Sequence, residues 1–224
     1  MGIGYSSDGH YFAFEEFGIQ DGSGSAYSNI YIVDLKANNW AAGTPIRVGG
    51  GEDGPKLSAV RAEAAAKAAP ILKSLAVIDA PQMLAAGPAT QPSEDRSKLV
   101  FDRFYKSQGG AVPAPAADLW PERYELRAEA LDTQPLPTEC EDLGDPVKTL
   151  KLHLRLLKAG TEKVIYQDAT LPKSRGCAYA YDVDKVFIPA DYDSTEAPVA
   201  LIGVYTRGFE GLDRRFIAIP FTLD

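Results

Sequence analysis

The chain has 224 residues, a formal net charge of −8 and an apolar fraction of 45%. That length holds one domain, or one domain with an elaboration, and the apolar fraction is ordinary for a folded globular chain. The acidic balance argues against nucleic acid and anionic lipid as partners, and no run reaches the ~18 apolar residues that a membrane helix needs.

Ser7-Asp8-Gly9 is a turn signal, because Asp bonds its own following backbone and Gly accepts positive φ. His10 to Phe17 reads as a strand with His10, Phe12 and Phe14 on one side and Tyr11, Ala13 and Glu15 on the other. Apolar residues on both sides predict a strand covered on both faces. Gln20 to Ser25 is a Gly/Ser loop, and Asn29 to Leu35 alternates again, so the pair reads as a hairpin with a long connection. Thr44 to Val48 is a short strand, and Gly49 to Pro55 a loop without the lysine of a phosphate-binding loop. Leu57 to Ile78 is an alanine-dense helix with Ser58 as its cap and an apolar stripe of Val60, Ala64, Ala68, Ile71, Leu72 and Leu75. Pro70 inside that pattern predicts a kink or break near Ala69.

Asp79 to Lys98 carries Pro81, Gly87, Pro88 and Pro92 and reads as a linker. Leu99 to Tyr105 returns to strand, and Ser107 to Pro121 is a Pro/Ala-rich loop. From Glu122 onward the pattern is antiparallel β. Tyr124 to Leu131 alternates, and Thr149 to Leu157 sets leucines against Lys151, His153 and Arg155 as a half-buried strand. Ala159-Gly160-Thr161 turns into Lys163 to Ala169. Cys177 to Pro189, Val199 to Arg207 and Arg214 to Phe221 complete the strands, the last two joined by the Gly208 to Asp213 turn.

Motifs of catalysis are sparse. There is no G-x-S-x-G elbow, and a Ser-His-Asp arrangement would have to use His10 or His153. Glu15 and Glu16 are adjacent in a strand and point to opposite faces. Asp21 to Ser25 and Asp191 to Glu196 are oxygen-rich loops of the kind calcium uses, without EF-hand spacing. Eleven tyrosines and nine phenylalanines offer aromatic surface for a carbohydrate or peptide.

Two resemblances bear on these residues. Ser6 to Phe14, followed by Asn29-Ile30-Tyr31-Ile32-Val33-Asp34, resembles one blade of a TolB-type β-propeller, with Ser7 where that family usually has proline. The run Tyr11 to Gly18, Gln20 to Gly24, the segment Cys177 to Tyr181 and Gly208 to Gly211 together resemble a bacterial family described only as predicted secreted proteins of unknown function. That resemblance spans most of the chain and implies export to the periplasm or beyond. Met1 to Gly4 leads straight into the first turn, so under that implication the chain is read as mature with a replacement start. Export also makes Cys140 and Cys177 most simply one disulfide, closing a loop of about 38 residues worth roughly 4 kcal/mol. Two unrelated buried thiols are the alternative for a reducing compartment.

The fold expected is mainly β (α+β): an antiparallel β-sandwich or partly closed barrel with one long Ala-rich helix packed on it, a truncated propeller being the alternative. Residues 1–224 form a single domain, with 49–98 a helical insertion with flexible flanks and 107–121 a loop. The function expected is a non-enzymatic envelope module binding a protein, peptide or glycan through Tyr11, Glu15, Phe17, Asp21, Phe209 and Glu210. A hydrolase using Glu15, Glu16 or Asp21 near Arg103, and a purely structural envelope protein, are the alternatives. No cofactor is expected, calcium being the one metal considered.

Overall fold

The computed structural model describes residues 1–51, 53–87, 95–103, 122–133, 140, 149–190, 198–209 and 211–223. In chain order the strands are β1 (Gly2–Ser6), β2 (Tyr11–Ile19), β3 (Ala26–Asp34), β4 (Asn39–Trp40) and β5 (Ile46–Gly49), followed by α1 (Leu57–Ser74). Then come β6 (Val77–Asp79), β7 (Pro81–Ala86), β8 (Lys98–Arg103), β9 (Glu122–Asp132), β10 (Leu150–Lys158) and β11 (Thr161–Gln167). β12 (Ala180–Pro189), β13 (Val199–Arg207) and β14 (Leu212–Pro220) end the chain. They make three antiparallel sheets. The front sheet runs β4-β3-β2-β1-β6 with β5 also on β3, the middle sheet β14-β13-β12-β7, and the back sheet β11-β10-β9-β8.

The packing stacks these sheets. Phe12, Phe14, Tyr31 and Val33 of the front sheet meet Phe187, Val199, Leu201 and Ala218 of the middle sheet. The alternate residues of the middle sheet, among them Val183, Ala200, Ile202 and Val204, meet Leu126, Leu152, Leu154 and Leu156 of the back sheet. The middle sheet is therefore covered on both faces, and this explains why Val199 to Val204 is buried without alternation. The result is a sandwich of three sheets, and the sheets stack face to face rather than closing into a barrel or standing as blades. β10 has only one face to bury. Its leucines enter the back core while His153 and Arg155 stay on the outer face beside Glu129.

The first turn forms as its residues dictate. The Ser6 hydroxyl oxygen accepts the His10 and Tyr11 amides, Asp8 accepts the His10 amide, and Gly9 takes φ of 65°. The front sheet's other face carries α1. Val60, Ala64 and Ala68 are fully buried against Ala26, Ile30 and Val48, an approach that alanine permits because it brings one methyl. The helix differs from expectation at three points. It ends at Ser74 rather than Ile78, because Ala76 turns left-handed at φ 50°. Ser58 does not cap it, since the first turn follows Lys56 with no side-chain bond. No break occurs at Pro70, where the missing N–H removes one helical bond while the packed stripe continues through Leu72.

Residues 77–86, read from sequence as helix end and linker, form β6 on β1 and β7 on β12. Pro81 fits because it opens an edge strand, where an absent N–H costs no ladder bond. The Pro/Ala-rich loop at Ser107 to Pro121 lies outside the described residues.

Cys140 and Cys177 are joined, with Cα atoms 5.7 Å apart. Replacing Cys177 with serine, or reducing the pair, is expected to lower unfolding free energy by about 2–5 kcal/mol in a urea titration. An unchanged midpoint would show that the link adds nothing to the packed sheets.

Candidate functional site

β14 is the edge of the middle sheet, and it is recessed between the two outer sheets. A cleft of about 470 Å³ runs beside it, lined by Tyr27, Tyr31, Trp40, Arg47, Arg175 and Phe216 among others. A second hollow of about 250 Å³ shares Trp40, Ser174, Arg175, Phe216 and Ile217 and extends along β14 to Ile219. The two make one groove. β3, β4 and β5 form one wall, the Pro172–Arg175 segment with Tyr166 forms the other, and β14 lies between them.

Each wall is fixed by a buried polar cluster. Asp168 is 3% exposed, and its carboxylate accepts the Leu152 amide at 2.8 Å, the Tyr166 hydroxyl at 2.7 Å and the Arg175 guanidinium at 3.3 Å. That set holds the Lys173–Arg175 turn against the end of the β10–β11 hairpin. Across the groove Arg47 lies 5.7 Å from the Trp40 ring centre, and no carboxylate among the described residues pairs with it. Arg215 stacks 5.0 Å from the Tyr27 ring centre and donates to Glu16 at 3.1 Å.

Glu16 is 3% exposed, and one of its carboxylate oxygens has no hydrogen-bond partner. Burial pushes its carboxyl above the ordinary value, and Arg215 only partly offsets that. Burial and the adjacent Glu16 also push the Tyr31 phenol up to about 12. Tyr31 is thus a neutral hydroxyl at neutral pH, able to donate or accept.

A second network crosses the middle sheet at the other end of β14. Arg214 donates to Asp182 at 2.6 Å and to Asp184 at 2.9 Å, and the Tyr205 hydroxyl donates to Asp182 at 2.7 Å. Arg96 donates to that same hydroxyl at 3.1 Å. Gly203 makes room for it: a Cβ there would stand 2.1 Å from the Asp182 carboxylate and 2.7 Å from Arg214 Nε.

The residues expected from sequence to bind a ligand fall in two places. Tyr11 is half-buried and packs in the cluster of Ala13 and Ile32 beneath α1. Glu15 is buried and takes Arg61 through both carboxylate oxygens, at 2.9 and 2.8 Å, with Ser28 at 2.9 Å. Phe17 lies 3.8 Å beneath the Arg61 guanidinium. These three join α1 to the front sheet. Asp21 and Phe209 line a separate open hollow of about 520 Å³, where Phe209 sits against Gly22 and is 81% exposed. Gln20 lines both this hollow and the groove. Glu210 lies outside the described residues.

Glu15 and Glu16 take opposite faces, as their adjacency in a strand requires. One meets Arg61 of the helix and the other Arg215 of β14, while Arg103 belongs to β8 of the back sheet. The two carboxylates therefore share no site. In the Asp21 loop the Ser23 hydroxyl donates to Gln20 and accepts the Ser25 amide, so its oxygens serve the turn. No group of three or more metal-binding side chains occurs among the described residues, and Asp191 to Glu196 lies outside them.

The groove's own residues escaped sequence reasoning. Tyr27, Tyr31, Trp40, Arg47, Arg175 and Arg215 come from six separated positions with no common motif. The adjacent Arg214-Arg215 before Phe216 was the one local mark, and it does not say which arginine faces which network.

Fold and groove together define a disulfide-linked β-sandwich with a recessed, aromatic- and arginine-lined edge. The sequence matches the family described as predicted secreted protein (DUF2259) over residues 13–222, and the chain belongs to that family. No curated protein and no solved structure matches it. The membership places the chain among secreted proteins, the disulfide suits an oxidising compartment, and no described helix is long and apolar enough to cross a membrane.

Two outcomes follow from these contacts. Burial raises the Glu15 carboxyl, but the bonds from Arg61 and Ser28 outweigh it and hold it below its ordinary 4.5. The stability this supplies is complete above pH 4.5 and is lost as pH falls through the lower folded value. Arg61→Ala is expected to cost about 2–3 kcal/mol at pH 7 and to flatten that acid loss in thermal melts from pH 7 to 3. Gly203→Ala is expected to cost about 3 kcal/mol or more in urea unfolding, since it overpacks a buried ion network. A wild-type midpoint in either variant would contradict the contact assigned to it.

Proposed function

We propose that this protein is a non-enzymatic binding module of the cell envelope, and that the groove beside β14 holds its ligand. The observation that carries this reading is the groove's lining: Tyr27, Tyr31, Trp40 and Phe216 bring aromatic surface, and Arg47, Arg175 and Arg215 bring fixed donors, from the front sheet, from β14 and from the Lys173–Arg175 turn at once. Apolar walls with a few convergent polar groups are the usual composition of a ligand site. Trp40 stays 41% exposed although it packs on Tyr31 and beside Arg47, so part of its ring is left for contact. The membership in a secreted family supports a role for such a site at the envelope or beyond.

The hollow holding Asp21 and Phe209 continues past Gln20 and extends the contact surface. Phe209 is a secondary anchor in this reading. Tyr11, Glu15 and Phe17 support it from below by holding α1 on the front sheet.

An array of short extended peptides and envelope oligosaccharides tests the proposal, with tryptophan fluorescence as a second readout. At least one probe class is expected to bind with a dissociation constant in the micromolar range or tighter. Trp40→Ala and Phe216→Ala should each weaken it about tenfold or more while the melting temperature stays within a few degrees of wild type. Binding that is indifferent to both variants, or no binding by any probe, would overturn the assignment of this groove.

A further inference from the structure

The groove differs from an ordinary aromatic cleft in having a strand edge along it. β14 pairs with β13 alone among the described residues, so one side of its backbone has no ladder. The phase of that ladder is fixed by the Phe221 amide, which donates to the Pro198 carbonyl at 3.0 Å. In an antiparallel pair the bonding residues alternate. Residues 213, 215, 217 and 219 therefore bond to β13, and Arg214, Phe216 and Ala218 turn their backbone groups to the open side. The Phe216 amide faces the Glu16 carboxylate. None of the described residues bonds the outward amide or carbonyl of Ala218, and this is the part of β14 that the second hollow exposes.

Strand edges are usually blunted, because an exposed row of amides and carbonyls invites pairing. Here the opposite edge of the sheet, β7, opens with Pro81. β14 also ends in a proline, Pro220, but before it Phe216 and Ile217 are half-buried, and they line the base of a groove together with the more buried Ala218 and Ile219. In this reading the groove takes a single extended chain between its two walls. The electrostatics choose its sign. The protein as a whole is acidic at −8, yet the groove carries Arg47, Arg175 and Arg215. Asp168 pairs with Arg175 and Glu16 with Arg215, while Arg47 has no carboxylate partner among the described residues. The groove beside β14 thus carries one cation in excess, at Arg47, while Asp21 and Asp213 lie in the adjoining hollow.

We infer that the ligand is an extended peptide segment bearing a carboxylate, which adds to β14 as a fifth strand of the middle sheet with its carboxylate on Arg47. Main-chain bonds to the Ala218 amide and carbonyl and to the Phe216 carbonyl would supply affinity, the Phe216 amide being taken by Glu16, and side chains alternating toward Trp40 and toward Tyr166 would supply selectivity. This deepens the proposed function and rests on it.

Backbone methylation is the direct test. The probe is a decapeptide alternating valine with glutamate, with a lysine-for-glutamate copy as control. The acidic peptide is expected to bind and to weaken as salt rises, and the lysine copy to bind at least tenfold more weakly. N-methylation at alternate residues in one phase should cost about tenfold or more, and in the other phase little. Ala218→Pro removes the outward amide without touching a bond to β13, so it should abolish binding; circular dichroism and the melting temperature check that it folds. Arg47→Ala should remove most of the preference for the acidic peptide. Equal losses in both methylation phases, equal binding of the lysine copy, or a dimer formed through β14 in light scattering would each overturn strand addition. If an oligosaccharide binds through Trp40 and no peptide does, the binding-module reading stands and this one falls.

Discussion

Everything in this molecule follows from the middle sheet having no free face. β12 and β13 are clamped between aromatic residues of the front sheet and leucines of the back sheet, so nearly every side chain along them is removed from water. Burying both faces yields a large hydrophobic return, of the order of 25 cal/mol per Å² of apolar surface. It also means that any polar group placed there must find its partner inside the protein. Asp182 and Asp184 meet that demand through Arg214 and Tyr205, and Gly203 is the residue that leaves them space. The only backbone of that sheet left to the outside is at its edges.

That constraint links the fold to the groove. Strands of the front sheet form one wall beside β14, and the Pro172–Arg175 segment with Tyr166 forms the other. The walls need separate fixing because neither is part of the middle sheet's ladder. Asp168 and Arg175 fix one, next to the disulfide at Cys177, and the β3–β5 pairing with the α1 stripe beneath it fixes the other. The Glu15–Arg61–Phe17 stack has its place in this scheme. It holds the helix that supports the wall, and Glu15, expected from sequence as a ligand contact, is paired there with Arg61 and Ser28.

Burial fixes two polar groups in and behind the groove. Tyr31 is held neutral, and Glu16 is paired with Arg215 at one oxygen while the other remains without a partner. The two strand-adjacent glutamates that composition singles out are kept apart by the width of the front sheet. In the proposed reading such a site of aromatic faces, guanidinium groups and strand backbone would bind by shape and hydrogen bonding.

Residues with local causes were legible without coordinates. The Ser7-Asp8-Gly9 turn, the two-faced strand of Phe12 and Phe14, the leucine alternation of β10 and the alanine stripe of α1 depend on neighbours within a few positions, and each formed where its pattern placed it. The secreted family was likewise readable from motifs along the chain, and the Cys140–Cys177 link followed from the compartment that family implies. β7 was not, because residues 81–86 become a strand only by lying on β12, and their own propensities favour a linker. The helix ended early for a similar reason: the demand that Val77 pair with β1 outweighed its helical spacing. The groove was illegible for the most general reason. Trp40, Arg47, Arg175 and Arg215 are brought together by the stacking of three sheets, and the order of sheets in a stack, along with which edge is left open, is decided by long-range burial that no local pattern encodes.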